Sequence, residues 1–196
     1  GVQTCALPIS RHHEDTILAN DPQWIGFSLE IGPDGAVYML DWHDGDICGN
    51  DVHDKDTGRV YRLAPPNTPY PTHFNLKDLS NVELADMQLH ANDWYVRRTR
   101  GILQERAAKG KVTQRTHTQL WNHFKQQPAA GRKLRALWAL HVSGGLSQEQ
   151  LTGLLSHDEE YIRAWAIQLL CEDMAPGQMA FQRFVSMARK DPSPVV

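Results

Sequence analysis

The spacing of apolar residues changes once along the chain, and this change limits the folds that the chain can adopt. Up to residue 64 apolar and polar residues alternate, as in Phe27-Ser-Leu-Glu-Ile31, which is the period of a half-buried strand. From Leu79 onward the apolar spacing approaches 3.6 residues, the period of a helix. A proline-rich stretch at 65–75 separates the two patterns. The sequence therefore predicts the β + α fold class, in which an antiparallel meander precedes an array of helices.

Three strands are predicted in the first part, over 27–31, 36–41 and 58–64. The link Gly32-Pro-Asp-Gly35 is typical of a tight turn, because proline presets one turn dihedral and glycine accepts a positive one. A link this short predicts that the first two strands form an antiparallel hairpin. Three strands alone cannot bury both faces of a sheet, so we expect 11–64 to be one part of a larger sheet assembly.

The second part, residues 76–196, carries repeated helix signals. Ser80 followed by Glu83 has the spacing of a capping box, and Ser147 begins a similar pattern. An apolar residue followed by arginine recurs at Val96-Arg97, Leu134-Arg135 and Ile162-Arg163, with Val195 in the next position.

The recurring positions are separated by 38, 28 and 33 residues, which average 33. This spacing resembles HEAT-type repeats, although it is shorter than their usual ~40–47 residues. We expect stacked helix pairs that share a continuous core, in which the tryptophans serve mainly in packing. Asp191-Pro-Ser-Pro194 has the capping chemistry of a helix start, so we expect the array to be truncated.

Composition excludes some classes of protein. No apolar run reaches the roughly 18 residues of a membrane span, so no transmembrane segment is expected. The net charge of -3 argues against a protein that coats nucleic acid. Three cysteines are too few for a disulfide framework, and no Cys-x-x-Cys-His haem motif occurs. Residues 1–9, GVQTCALPI, resemble a translated sequencing adaptor, so we expect 1–10 to be an artefact without ordered structure.

One combination of residues resembles a known family. It consists of Ile31-Gly-Pro-Asp-Gly35, Tyr38, Asp41-Trp42 and Asp56-Thr-Gly-Arg-Val-Tyr-Arg62, in that order. This combination resembles the last blade of a β-propeller in the glucose/sorbosone dehydrogenase-like group. More narrowly, it is similar to the large membrane-bound dehydrogenase-like proteins of some environmental bacteria. The resemblance implies a terminal blade at 11–64, a linker at 65–75 and HEAT-like repeats at 76–196.

The loop after the second strand is rich in acidic residues. Carboxylates are ligands of divalent metals, and their pairing two residues apart is common in calcium loops. No stretch fits the EF-hand spacing, and the alternative is an ordinary solvated hairpin loop. The predicted metal ligands, with calcium ahead of zinc, are Asp44, Asp46, Asp51, Asp54 and Asp56.

His43 and Asp41 are the predicted catalytic residues. His43 could act as a general base, because the pKa of histidine lies near neutral pH. The alternative is that Asp41 caps the end of its strand and His43 is a loop residue. In an up-and-down blade, the loops that hold Trp24 and Trp42 lie on one face of the propeller. The resemblance implies that a pyrroloquinoline quinone-like or other redox cofactor binds on that face, so both tryptophans are predicted cofactor contacts.

Two functions remain open from the sequence. The resemblance implies a piece of a quinoprotein-like sugar or alcohol dehydrogenase, located in the periplasm or cell envelope. Its helical repeats would dock a cytochrome or another protein, and the main catalytic residues would lie in other blades. The alternative is a non-catalytic scaffold of propeller and HEAT repeats, since fold does not determine function.

Overall fold

The computed structural model describes residues 17–43, 56–70, 72 and 74–196. The chain divides into two compact units between residues 68 and 69, apart from the turn at 33–35. The predictions for 1–10 and for most of the acidic loop lie outside the described residues. A three-stranded sheet followed by helices confirms the predicted β + α organisation.

The first unit is an antiparallel meander. Its strands are β1 (Gly26–Ile31), β2 (Val37–Asp41) and β3 (Arg59–Leu63), which lie side by side in the order β1-β2-β3. The turn between β1 and β2 is closed by a hydrogen bond of 2.9 Å from the Gly32 N–H to the Ala36 carbonyl. Gly35 has φ +79°, a backbone conformation that residues other than glycine rarely adopt. The predicted turn chemistry therefore sets the hairpin.

Both faces of the sheet carry exposed apolar side chains. Leu29 pairs with Met39, which pairs with Tyr61, so these residues share one face. Met39 is buried, whereas Leu29 is 68% exposed. Val60, on the opposite face, is 65% exposed. Within the described residues, the sheet thus leaves apolar surface uncovered on both sides.

The second unit consists of seven α-helices within the described residues, with 3₁₀ turns at Leu76–Asp78 and Met87–Leu89. No helix of this described part is long and apolar enough to cross a membrane. The helices are α1 (Asn81–Asp86), α2 (Asp93–Ala107), α3 (Gln114–Gln126), α4 (Ala130–Val142), α5 (Gln148–Leu154), α6 (Glu160–Leu170) and α7 (Gln178–Lys190).

The helix signals in the sequence agree with the structure except at α3. The capping boxes of Ser80 with Glu83 and of Ser147 with Gln150 are both formed, with both reciprocal hydrogen bonds. Helix α3 was not predicted as an element. Its buried residues, Thr116, Leu120, His123 and Phe124, follow helical spacing, so the period is present in the sequence although two of them are polar.

The helices pack as consecutive pairs. Within a pair, α1 contacts α2, α3 contacts α4, and α5 contacts α6. Between pairs, α1 contacts α3, α2 contacts α4, and α4 contacts α6. The first helices of the first two pairs, α1 and α3, therefore pack on each other. The second helices of all three pairs, α2, α4 and α6, pack in a row.

Three hydrophobic clusters run through this arrangement, one after another along the chain. Leu120 and Leu140 belong to the first cluster, Leu137 and Ile162 to the second, and Leu170 to the third. All except Leu170, which is 3% exposed, are fully buried. The clusters share partly buried neighbours, which joins them into a continuous core. The Leu146 side chain, in the loop after α4, packs against all three clusters.

Gln88 is the largest of the fully buried polar residues in the described helices. Gln88 is fully buried, and its amide nitrogen donates to the Thr99 hydroxyl at 3.0 Å. The same nitrogen lies 3.4 Å from the carbonyls of Leu84 and Val96. The Gln88 side-chain oxygen has no hydrogen-bond partner among the described residues.

Candidate functional site

The predicted catalytic residues lie at one end of the sheet, where β2 and β3 pair. Asp41 lies directly opposite Arg59 in the ladder. The Asp41 carboxylate accepts hydrogen bonds from the backbone N–H groups of Ile25 at 2.9 Å and His43 at 3.0 Å. Its other oxygen accepts from Arg59 Nε at 2.7 Å. Asp41 is 3% exposed, so these groups take the place of water around the carboxylate.

Asp21 extends this ion pair into a three-membered cluster. Arg59 Nη2 lies 2.6 Å from Asp41 Oδ2 and 2.7 Å from Asp21 Oδ2. Asp21 also accepts the Gln23 N–H at 3.0 Å, which turns the segment before β1 toward the cluster. One guanidinium therefore joins β2, β3 and the entry to β1.

The cluster sets the protonation of its members. Burial raises the pKa of Asp41, but the hydrogen bonds from Ile25, Arg59 and His43 outweigh it and hold that pKa below its usual value. The hydrogen bond from the Gln23 N–H lowers the pKa of Asp21, and Arg59 lowers it further. Burial lowers the pKa of Arg59, but its hydrogen bonds to both carboxylates raise it overall. The cluster is therefore two carboxylates around one cation at neutral pH.

The His43 ring contacts different partners from those expected. Its Nδ1 lies 2.9 Å from the Thr57 hydroxyl, and its Nε2 lies 3.5 Å from Asp21 Oδ2. Asp41 binds the backbone N–H of His43, not the imidazole, so Asp41 caps the end of β2. The carboxylate near the ring is that of Asp21.

The backbone at His43 is unusual. Its φ is +51°, in the left-handed region that few residues other than glycine adopt. The His43 side chain is only 15% exposed. The hydrogen bond from the His43 N–H to Asp41 therefore holds a strained turn, and strain of this kind is concentrated at functional sites.

Sequence reasoning did not find Asp21, Thr57 or Arg59 as members of the site. Arg59 was noted only as part of Asp56-Thr-Gly-Arg-Val-Tyr-Arg62, the stretch that resembles the propeller family. Its pairing with Asp41 depends on the register of β2 with β3. That register is not readable when a long loop joins the two strands. Asp21-Pro22 was the available signal for a turn that presents a carboxylate.

The two predicted cofactor contacts pack against rings of their own sheet. Trp24 meets Tyr61 edge to face, with ring centroids 5.1 Å apart, and Trp42 meets Phe27 in the same way at 5.6 Å. A Cβ at Gly26 would lie 2.6 Å from Trp24 Cζ2, so glycine is needed for this packing. The two indoles contact different rings, and the cofactor roles of Trp24 and Trp42 stay predictions.

The predicted metal site lies almost entirely outside the described residues. Asp44, Asp46, Asp51 and Asp54 belong to that outside part, and only Asp56 is described. Among the described residues no group of three or more histidine, cysteine or acidic side chains could hold a metal ion. The calcium hypothesis for the acidic loop stays a prediction.

Comparison with protein-family models, with curated proteins and with solved structures finds no match to this chain. The resemblance to a dehydrogenase-type propeller blade therefore stays a prediction from the quoted residues. The functional argument below depends on how the described side chains and helices are arranged.

Proposed function

We propose that this chain is a binding scaffold, in which HEAT-type helical repeats dock a partner protein and a propeller blade precedes them. The observation that carries the proposal is the order of helix contacts. Second helices of successive pairs, α2, α4 and α6, pack side by side. Such stacking builds an extended surface from repeated elements, which is how helical-repeat proteins present binding faces.

The second helices of this array carry partly buried aromatic and basic side chains, of which Trp138 and Trp165 also pack against the second hydrophobic cluster. Trp138 and Trp165, from neighbouring second helices, meet edge to face at 4.8 Å, and the Arg100 guanidinium lies 5.2 Å from the Trp138 ring centre. All three are only partly buried. Tryptophan and arginine are enriched among the residues that dominate protein interfaces. This composition favours a protein partner.

The arrangement at the end of the sheet fits a structural blade within such a scaffold. Asp41 accepts hydrogen bonds from two backbone N–H groups and from Arg59, so its oxygens are occupied by structural contacts. Leu29 and Val60, exposed on opposite faces, are the residues that neighbouring blades would cover. A propeller blade needs such neighbours, because a single small sheet has too little buried area to be stable.

A peptide-display selection against the purified full chain tests the scaffold. We expect enrichment of peptides with a common motif, each binding saturably when resynthesised. A triple variant of Arg100, Trp138 and Trp165 to alanine is compared with a variant at exposed Gln104, Arg115 and Lys125. Circular dichroism and thermal unfolding of both check folding, because Trp138 and Trp165 also pack against the core. Loss of some selected motifs in the first variant only is the expected result. Absence of any enriched motif would refute the scaffold.

His43 favours a second candidate, the quinoprotein-like dehydrogenase. A strained, largely buried histidine near the Asp21 carboxylate suits a proton acceptor better than a loop residue. In this candidate the quinone, and calcium if present, would be held with the help of other blades, and a cytochrome of the cell envelope would accept electrons.

Sequencing the genomic region that encodes the chain tests the second candidate. Further blades upstream and a Cys-x-x-Cys-His segment downstream are the expected result. A start codon directly before Arg11 would contradict it. Sugar and alcohol oxidation by the resulting full-length protein, measured with an electron-accepting dye, should then fall in His43→Gln.

A further inference from the structure

The helical unit contains a cleft of about 390 Å³ between α2 and the segment that precedes α1. Helix α2 contributes one stripe of residues that includes Trp94, Arg98 and Gly101, and the preceding segment contributes Phe74 and its three following residues. The volume is in the range of sites that bury a large side chain or a small ligand.

Aromatic rings form one wall of this cleft. Phe74 and Trp94 meet edge to face, with centroids 5.9 Å apart and planes at 82°. Phe74 is 39% exposed, and Ile102 beside it is only partly buried. This wall thus offers apolar surface that the chain itself leaves open.

Gly101 forms the floor of the cleft in the middle of α2. Glycine inside a helix costs roughly 0.5–1 kcal/mol relative to alanine. No heavy atom lies within 4 Å of the position that a Cβ would occupy there. Internal packing therefore does not require the glycine, whereas a side chain at this position would fill the cleft.

Positive charges dominate the rim of the cleft. Lys77, Arg97 and Arg98 line it together with one acidic residue, Glu105. Arg97 Nε is bound to Asp93 at 2.6 Å, and Lys77 is 3.9 Å from Glu105 in an exposed pair. Arg98 lies 5.7 Å from the Trp94 ring centre and pairs with no carboxylate in the described part of the chain. On a chain with net charge -3, this is a local site for an anionic group.

The two walls of the cleft are held together by Arg106. Its Nη1 donates to the Leu79 carbonyl at 2.9 Å and to Asn81 Oδ1 at 2.7 Å, and its Nη2 donates to the Lys77 carbonyl at 2.8 Å. These bonds connect α2 to the segment on the opposite wall. A preformed site loses less conformational entropy on binding than one that must first be ordered.

We propose that this cleft binds an acidic peptide segment of a partner protein. A bulky apolar side chain of the peptide enters against Phe74 and Trp94 above Gly101, and flanking carboxylates pair with Arg98 and Lys77. The complementary charge of the rim selects an acidic peptide over a neutral one. The inference rests on the proposed scaffold function and specifies where one partner segment docks.

Fluorescence anisotropy with the full chain tests this site. The probe is a fluorescein-labelled peptide in which phenylalanine is flanked by glutamates, and the control probe has glutamines in their place. We expect saturable binding of the acidic probe that weakens as salt rises. Arg98→Glu and Gly101→Leu should each weaken binding about tenfold.

Matched variants separate the cleft from general effects. Arg115→Glu reverses a charge at an exposed position of α3, and Gly153→Leu fills a helix position whose Cβ also meets nothing within 4 Å. Both should bind the probe like the parent chain. Far-UV circular dichroism checks folding, and Gly101→Leu should keep or raise helix stability because leucine is the better helix former.

Three results would overturn the proposal: unchanged binding in folded Gly101→Leu, equal binding of the glutamine probe, or tighter binding of a single-stranded oligonucleotide. The scaffold is tested separately. If display-selected peptides bind the full chain but are insensitive to both cleft variants, the cleft assignment is wrong and the scaffold stands.

Discussion

Replacing Gln88 by methionine should make the helical unit more stable. Methionine has a similar length and fills the same buried space. The change loses the hydrogen bond from Gln88 Nε2 to Thr99 Oγ1 at 3.0 Å, worth about 0.5–1.5 kcal/mol, and two longer contacts at 3.4 Å to the Leu84 and Val96 carbonyls. It also removes a buried amide oxygen that has no hydrogen-bond partner among the described residues. Burying such a group without a partner costs about 1–3 kcal/mol of folding free energy. The Thr99 hydroxyl still donates to the Tyr95 carbonyl at 2.8 Å. The net expectation is a gain of about 1 kcal/mol.

Thermal and urea unfolding of the full chain, followed by far-UV circular dichroism, measures this gain. For a helical unit of this size, we expect the midpoint temperature to rise by about 4 °C. Gln104→Met, at an exposed position of α2, is the matched control and should change stability by less than about 0.5 kcal/mol. Gln88→Glu should be strongly destabilised, because it places a charge in the core.

A Gln88→Met protein less stable than the parent by about 1 kcal/mol or more would refute this reasoning. It would mean that the amide oxygen has a partner in solution and that Gln88 stabilises the core through both of its polar atoms. Equal stability of Gln88→Met and Gln88→Glu would be a stronger contradiction, because it would place the side chain in contact with solvent.

Further predictions concern pH, packing and domain autonomy. Burial lowers the pKa of His157 below its usual 6.5. As pH falls, the histidine is therefore protonated in the unfolded chain before it is protonated in the folded one. The unfolding free energy should thus decrease as pH drops below about 6.5. In His157→Asn, the unfolding free energy measured by urea titration should depend less on pH, because the titrating group is gone. Asparagine is chosen because its side chain can still accept the Glu159 N–H, which His157 Nδ1 accepts at 3.0 Å. Gly26→Ala should destabilise the sheet unit by about 1–3 kcal/mol by displacing Trp24, seen as a change in near-UV circular dichroism, and an unchanged spectrum would contradict the clash. Expressed separately, 76–196 should unfold cooperatively and 11–64 should not, and a cooperative β transition from 11–64 would disprove this.

Local chemistry made most of the fold predictable from the sequence. The turn at 32–35, the three strands and the capping boxes each depend on residues a few positions apart, and the structure contains them as expected. The half-burial predicted for 27–31 is not seen within the described residues, because Phe27, Leu29 and Ile31 are all exposed. Helix α3 was missed although Leu120 and Phe124 follow helical spacing, and its other buried positions hold the polar residues Thr116 and His123. Their place in the core is decided by neighbouring helices, which a local pattern does not contain.

The site was less predictable because its contacts are long-range. Asp41 and His43 were chosen as neighbours in sequence, yet the ring of His43 lies near Asp21, and the carboxylate of Asp41 binds Arg59. Both partners are set by strand register and by the turn before β1. The catalytic roles of Asp41 and His43 stay predictions, as do the metal ligands of the acidic loop.

Leu146 determines how the helical unit responds to mechanical load. Its side chain contacts all three hydrophobic clusters. Separating neighbouring helix pairs therefore breaks the contact of Leu146 with at least one cluster. Trp121, Leu154 and Leu169 each join two clusters as well, so a force that pulls on the end near α7 is shared among these side chains and Leu146. The helix pairs should separate at a defined force under optical tweezers, and Leu146→Ala should lower that force, because it removes a side chain that contacts all three clusters.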